Sequence, residues 1–308
     1  MTTSEEFTTG TVDFKVGSET YQTWYKVYGD LKNSQRRPLV TLHGGPGMSH
    51  HYMLPHKAVY EKEGIPVVFY DQLGNGESSH RRDAPKEFWT PELFMDELDN
   101  LLKALRVQDD FDLIGQSWGG MLAAHYAAAR TPKGLKRLII ANSPASIELY
   151  GKGTASLLAK LPEEIRDNIR KHEEAGTYSS VEYQQGVEVF MKKHVCRVDP
   201  WPQDLVDSFK AYEEDKTVYS TMLGPSEFSI NGTLKDWNII DIVHKIHCPT
   251  LLISAPDDEV QEEAALPFFK NIPKIKWVEL QNSTHLAMFE EPERYFKVLL
   301  DFVRPDSA

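Results

Sequence analysis

Gly115-Gln116-Ser117-Trp118-Gly119 is the stretch of this 308-residue chain best suited to covalent chemistry. A serine with glycines two positions away on either side suits a sharp turn from a strand into a helix. Such a turn lifts the hydroxyl clear of the backbone and aims the helix N-terminus at developing negative charge. The apolar run 111–114 before it and the alanine-rich run 121–130 after it supply the strand and helix this reading needs. Without them the motif would be only a glycine-rich turn. A serine hydroxyl is a weak nucleophile, so acyl transfer at Ser117 requires a base and an acid to orient that base.

Those partners are expected on loops after later strands, the acid before the histidine. The apolar run 250–254 leads into Ala255-Pro256-Asp257-Asp258-Glu259, and 276–280 leads into Ser283-Thr284-His285. His285 is the expected base, and both Asp257 and Asp258 stand where the acid belongs. The other histidines lack such a position. His50, His51 and His56 have no carboxylate or cysteine spacing beside them, so they read as structural, and no metal or cofactor is expected. His43-Gly44-Gly45-Pro46-Gly47 follows the apolar run 38–42. Its glycines allow close approach to a tetrahedral intermediate. The backbone N–H groups of Gly45 and Trp118 are the expected oxyanion donors, with Gly44 also facing substrate. His43 itself reads as turn packing.

These residues must be positioned by a sheet. Residues 11–28 alternate around a Gly17-Ser18 turn, the pattern of an antiparallel hairpin. The runs 38–42, 66–70, 111–114 and 138–141 lack polar alternation, as strands buried on both faces do. Between two of them, Thr90-Pro91 opens a helix whose apolar face carries Leu93, Phe94, Leu98, Leu101, Leu102 and Leu105. The rhythm breaks after Pro144. Residues 147–242 read as amphipathic helices, the strand pattern resumes at 250–254 and 276–280, and a helix over 292–303 closes the chain. The expectation is an α/β fold with a mostly parallel sheet. Its core spans 1–144 and 246–308, and a helical cap lobe at 145–245 lies over the C-terminal strand edge, where ligands bind in such sheets.

Composition narrows the partners. Hydrophobic residues make up 41% and charged residues 26%, the balance of an ordinary globule. The formal charge of −12 argues against a nucleic-acid ligand, which needs concentrated Lys and Arg. It suits a cationic ligand, although acidic surfaces more often serve solubility. Cys196 and Cys248 make no disulfide framework. Residues 1–10 are polar without a secretory pattern, and no apolar run is long enough to cross a membrane, so a cytoplasmic location is expected. The glycosylation patterns at Asn231 and Asn282 then read as chance matches.

HGGPG at 43–47, YDQLGNGES at 70–78, GQSWGG at 115–120 and the Asp258/His285 pair together resemble the proline iminopeptidase family of α/β-hydrolases. The similarity is greatest to its tricorn-interacting aminopeptidase type. It runs over nearly the whole chain and includes GPSEFSINGTLKDW at 224–237. The resemblance implies the α/β-hydrolase fold and a metal-free serine exopeptidase. Such an enzyme releases an N-terminal residue, proline or another small or hydrophobic one, from short peptides through an acyl-enzyme. It places the acid at Asp258, with Asp257 a solvated turn residue. It also implies that Glu227 and Glu259 hold the substrate's α-ammonium, since a buried ammonium is costly unless paired. Two departures stand out: Leu73 replaces an arginine common in bacterial relatives, and the lobe before residue 220 matches weakly. An amino-acid amidase, an esterase or lactonase on the same triad, and a non-catalytic ligand-binding module remain the alternatives. The expected partner is a small peptide or amino-acid amide, not nucleic acid or membrane. Oligomeric state and the preferred first residue stay open.

Overall fold

A computed structural model describes residues 7–304; the first six residues of the polar N-terminal stretch lie outside the described residues. Eight strands form one sheet: β1 (Phe7–Val16), β2 (Glu19–Tyr28), β3 (Leu39–Leu42), β4 (Val67–Tyr70), β5 (Phe111–Gln116), β6 (Leu135–Ala141), β7 (Thr250–Ser254) and β8 (Ile275–Glu279). Their spatial order is β1-β2-β4-β3-β5-β6-β7-β8. The hairpin β1–β2 and the β2–β4 pair are antiparallel, and every pairing from β4 to β8 is parallel.

The unalternating runs have the expected cause. Strands β3, β4, β5 and β7 are buried along their whole length, with packed side chains on both faces. Val40, Leu42, Leu113, Leu138, Ile140 and Leu252 join one core with the helices Pro91–Ala104 and Trp118–Arg130. Leu39, Ile114, Ile139 and Ile253 point the other way, toward Tyr295 and Leu299 of the helix Pro292–Val303. The Thr90 hydroxyl accepts the Leu93 N–H at 3.2 Å, capping its helix as the sequence suggests. Strand β6 begins earlier than the apolar run 138–141. Lys136 and Arg137 hid its first turns of pleat: both are half-buried, and Arg137 meets Asp112 at 3.4 Å.

Register aligns the strand ends. Leu42 lies opposite Gly115, Gln116 opposite Ala141, and Ala141 opposite Ile253. The loops after β3, β5, β6 and β7 therefore leave the sheet along one edge. Between β6 and β7 lie five α-helices, Ile147–Ala159, Glu163–Ala175, Val181–His194, Gln203–Glu214 and Thr217–Met222, and a short 3-10 helix, Val243–Lys245. Among the described residues no strand interrupts them. They carry a small core of their own, built on Leu157, Leu161, Ile169, Tyr183 and Phe190.

Candidate active site

Ser117 sits between β5 and the helix Trp118–Arg130 with φ +57° and ψ −126°. Few residues with a side chain adopt such a backbone, so the surroundings must enforce it. They do so from several sides. The Ser117 N–H donates to the Ala141 carbonyl at 3.0 Å, while its own carbonyl accepts from Gly120 N, Met121 N and the Ser143 hydroxyl. A Cβ on Gly115 would strike the Gly119 carbonyl, and one on Gly119 would strike the carbonyl of Leu42. The two flanking glycines are thus demanded by backbone crossing backbone.

His285 and Asp258 come together from the loops after β8 and β7. His285 Nδ1 lies 2.7 Å from Asp258 Oδ1, which also accepts the Val260 N–H at 2.8 Å. The second Asp258 oxygen accepts from Asn142 Nδ2 at 2.7 Å. Asp258 is fully buried, whereas Asp257 is exposed and pairs with Arg197. The other ring nitrogen, His285 Nε2, lies 3.4 Å from Glu259 Oε1. Among the described residues the Ser117 hydroxyl makes no hydrogen bond.

Gly45 and Trp118 line the cleft beside Ser117. Trp118 heads its helix, so its N–H has no intrahelical acceptor. Gly44 lies beside Ser117 with its own backbone groups engaged. Its N–H donates to the Tyr52 hydroxyl at 2.5 Å and its carbonyl accepts from Met48 N, so its backbone holds the loop's shape. Tyr52 in turn donates to Gln116 Oε1 at 2.7 Å, and Gln116 Nε2 donates to the His285 carbonyl at 3.0 Å. Gln72 forms a second brace. Its side chain donates to the His43 carbonyl at 2.9 Å and accepts the Trp118 indole N–H at 2.8 Å, while its backbone N–H donates to His43 Nε2. His50 is committed to Asp71 at 3.0 Å and His56 to Tyr295 at 2.8 Å, both structural uses.

Glu227 comes from the loop after the helix Thr217–Met222. Its two oxygens accept from Tyr150 at 2.5 Å and Tyr219 at 2.7 Å. Burial raises the Glu227 carboxyl above its ordinary range, with the two tyrosine hydroxyls opposing. Burial likewise pushes Glu259 up to about 8, with His285 pulling the other way. For His285, burial works to lower the imidazole, but Asp258 and then Glu259 hold it at about 9. Ser117, Glu227 and Glu259 line two connected spaces. One is a chamber of about 760 Å³ walled by Phe190, Trp201, Phe209, Tyr212 and Phe228; the other is a side pocket of about 20 Å³ against Pro46, Ile147, Leu234 and Val260.

Sequence reading missed Asn142, Gln72, Tyr52, Tyr150 and Tyr219. Only Gln72 carried a signal, as part of the YDQLGNGES stretch.

Residues 37–292 match the α/β hydrolase fold family. A proline iminopeptidase of Thermoplasma volcanium is 38% identical over 91% of this chain and 92% of its own length. The solved structure of VinJ is 43% identical, with a TM-score of 0.91 over 96% of this chain and 98% of VinJ. That of a proline iminopeptidase from Mycobacterium smegmatis is 41% identical, with a TM-score of 0.87 over 96% of this chain and 97% of the relative.

Proposed function

This chain belongs to the α/β-hydrolases and, within them, to the proline iminopeptidase family, and on that premise we propose that it is a serine exopeptidase releasing an N-terminal proline or other small or hydrophobic residue from short peptides. The observation that carries this reading is the seat of two carboxylates, Glu227 and Glu259, on the wall that also presents Ser117. An ammonium held there sets the first carbonyl of a peptide over the serine. A blocked or internal amine brings no charge and leaves the carboxylates uncompensated, which is the physical basis of selection for a free N-terminus.

His285, oriented by Asp258, takes the Ser117 proton as the hydroxyl attacks the carbonyl carbon. The oxyanion rests on the Gly45 and Trp118 amides. His285 then passes the proton to the leaving amine, and water hydrolyses the acyl-enzyme by the same steps in reverse. The rest of the peptide occupies the aromatic chamber, whose volume lies in the usual range for small-ligand sites. The test is Ser117→Ala assayed on prolyl and alanyl p-nitroanilides. Turnover near the uncatalysed level supports the reading, and unchanged turnover ends it.

A further inference from the structure

The 3.4 Å approach of His285 Nε2 to Glu259 Oε1 has a chemical consequence. A neutral imidazole that is to accept the serine proton presents a lone pair at Nε2, because Nδ1 keeps its hydrogen on Asp258. A lone pair and a carboxylate oxygen at that separation repel each other. At that distance, longer than a good hydrogen bond, the contact is an ion pair, with the proton on Nε2 of an imidazolium that faces the Glu259 carboxylate. Held protonated in this way, Nε2 has no lone pair with which to take the Ser117 proton.

We infer that Glu259 holds the general base out of action in the free enzyme by ion-pairing with a proton-bearing His285 Nε2, and that the substrate's α-ammonium evicts that proton when it takes over the carboxylate. This rests on the reading of Glu227 and Glu259 as the amine seat. The balance is simple: one ammonium enters, one proton leaves through the open chamber to water, and Nε2 is left with a lone pair facing Ser117. Glu259 then acts on turnover as well as on binding. A peptide with a free N-terminus switches on the base that cleaves it.

The groups facing this proton support the assignment. Asp258 and Glu259 come from the loop after β7, Glu227 from the loop after the helix Thr217–Met222, Tyr219 from that helix, and Tyr150 from the helix Ile147–Ala159. His194, on the helix Val181–His194, is turned away to the Asp257 carbonyl. Three acids thus surround the His285 imidazole. Tyr150 and Tyr219 both donate to Glu227, so that carboxylate has two hydrogen-bond donors of its own. Glu259, buried beside the ring and also within reach of the Tyr150 hydroxyl, is the carboxylate placed to pair with His285 Nε2. The His285 imidazole, raised to about 9, agrees with the geometry.

The test uses Ser117→Ala protein and L-prolinamide, with N-acetyl-L-prolinamide as control. Binding is followed by calorimetry at pH 6.5 in two buffers of different ionisation enthalpy, which counts protons released per ligand. At that pH an α-amine is already charged, so it contributes no proton uptake. The expected result is release of most of one proton on binding prolinamide, retained when Glu227→Gln is added and lost when Glu259→Gln is added. No release from Ser117→Ala protein, or release that vanishes with Glu227→Gln and persists with Glu259→Gln, overturns the inference. If Glu259→Gln abolishes measurable binding, the ¹⁵N resonances of His285 decide. Nε2 should be proton-engaged in the free protein and bare in the prolinamide complex; an Nε2 signal that does not change overturns the inference. Failure of the underlying amine seat looks different: prolinamide would then bind no more tightly than its acetylated form.

Discussion

Asn142 holds the carboxylate that pairs with His285: its side-chain amide donates to Asp258 Oδ2 at 2.7 Å and to the Thr284 carbonyl, one residue before His285, at 3.3 Å. One residue after β6 thus ties together the loops that bring Asp258 and His285 into contact. Asn142 adopts φ +50°, a conformation asparagine tolerates better than most side chains. Replacement by leucine removes a hydrogen bond to a buried charge, worth on the order of 1.5–3 kcal/mol. Asn142→Leu is expected to lower kcat by about ten- to a hundredfold with a smaller change in KM. Steady-state kinetics on prolyl p-nitroanilide check this, and an unchanged kcat contradicts it.

Gln72 braces the two expected oxyanion donors by gripping His43 with one end of its amide and the Trp118 indole with the other. It is a positioning residue, so its loss should act on the transition state more than on ground-state binding. Gln72→Leu is expected to cost about a factor of 10 to 10² in kcat, less than deletion of a donor itself. A transition-state analogue that forms a tetrahedral adduct on Ser117 should weaken in parallel. A variant whose KM rises while kcat holds would show that Gln72 shapes the substrate pocket instead.

Glu97 provides a test of stability against pH. It is fully buried in the helix Pro91–Ala104, accepting from Thr23 at 2.6 Å and from the Leu73 N–H at 3.0 Å. Burial pushes its carboxyl from 4.5 up to about 7. The folded protein therefore keeps this proton longer than the unfolded chain does. The associated stability is fully present below about pH 4.5 and is lost as pH rises through about 7. Glu97→Gln should raise Tm relative to the parent at pH 8, by on the order of 1–3 kcal/mol of stability, and gain little at pH 5. Thermal unfolding at the two pH values checks this. An equal difference at both would remove the carboxyl's titration as the cause.

The fold was legible because its signals are local and redundant. Fully buried strands leave unbroken apolar runs, and Thr90-Pro91 announces a helix start. The glycines around Ser117 were legible for a related reason, since crossing backbones tolerate nothing larger. Strand β6 was read short because Lys136 and Arg137 can lie along a strand while keeping their charged ends at the surface. Asn142, Tyr150 and Tyr219 were not legible. Each is a single residue whose importance comes from contacts 77 to 142 positions away or from a neighbour across a loop, and no spacing rule encodes such pairs. The glycine motif at 43–47 likewise announces a loop without saying which amide is free, and only the fold shows Tyr52 occupying the Gly44 N–H.

In the proposed mechanism Glu227 and Glu259 read the free amino terminus over Ser117. The most direct test is the ratio of kcat/KM for prolyl p-nitroanilide to that for the N-acetylprolyl form, measured in the parent and in Glu227→Gln. A large preference for the free amine is expected in the parent, reduced by about ten- to a hundredfold when the charged partner becomes an amide. Comparable hydrolysis of both substrates by the parent, or a ratio untouched by Glu227→Gln, would contradict it.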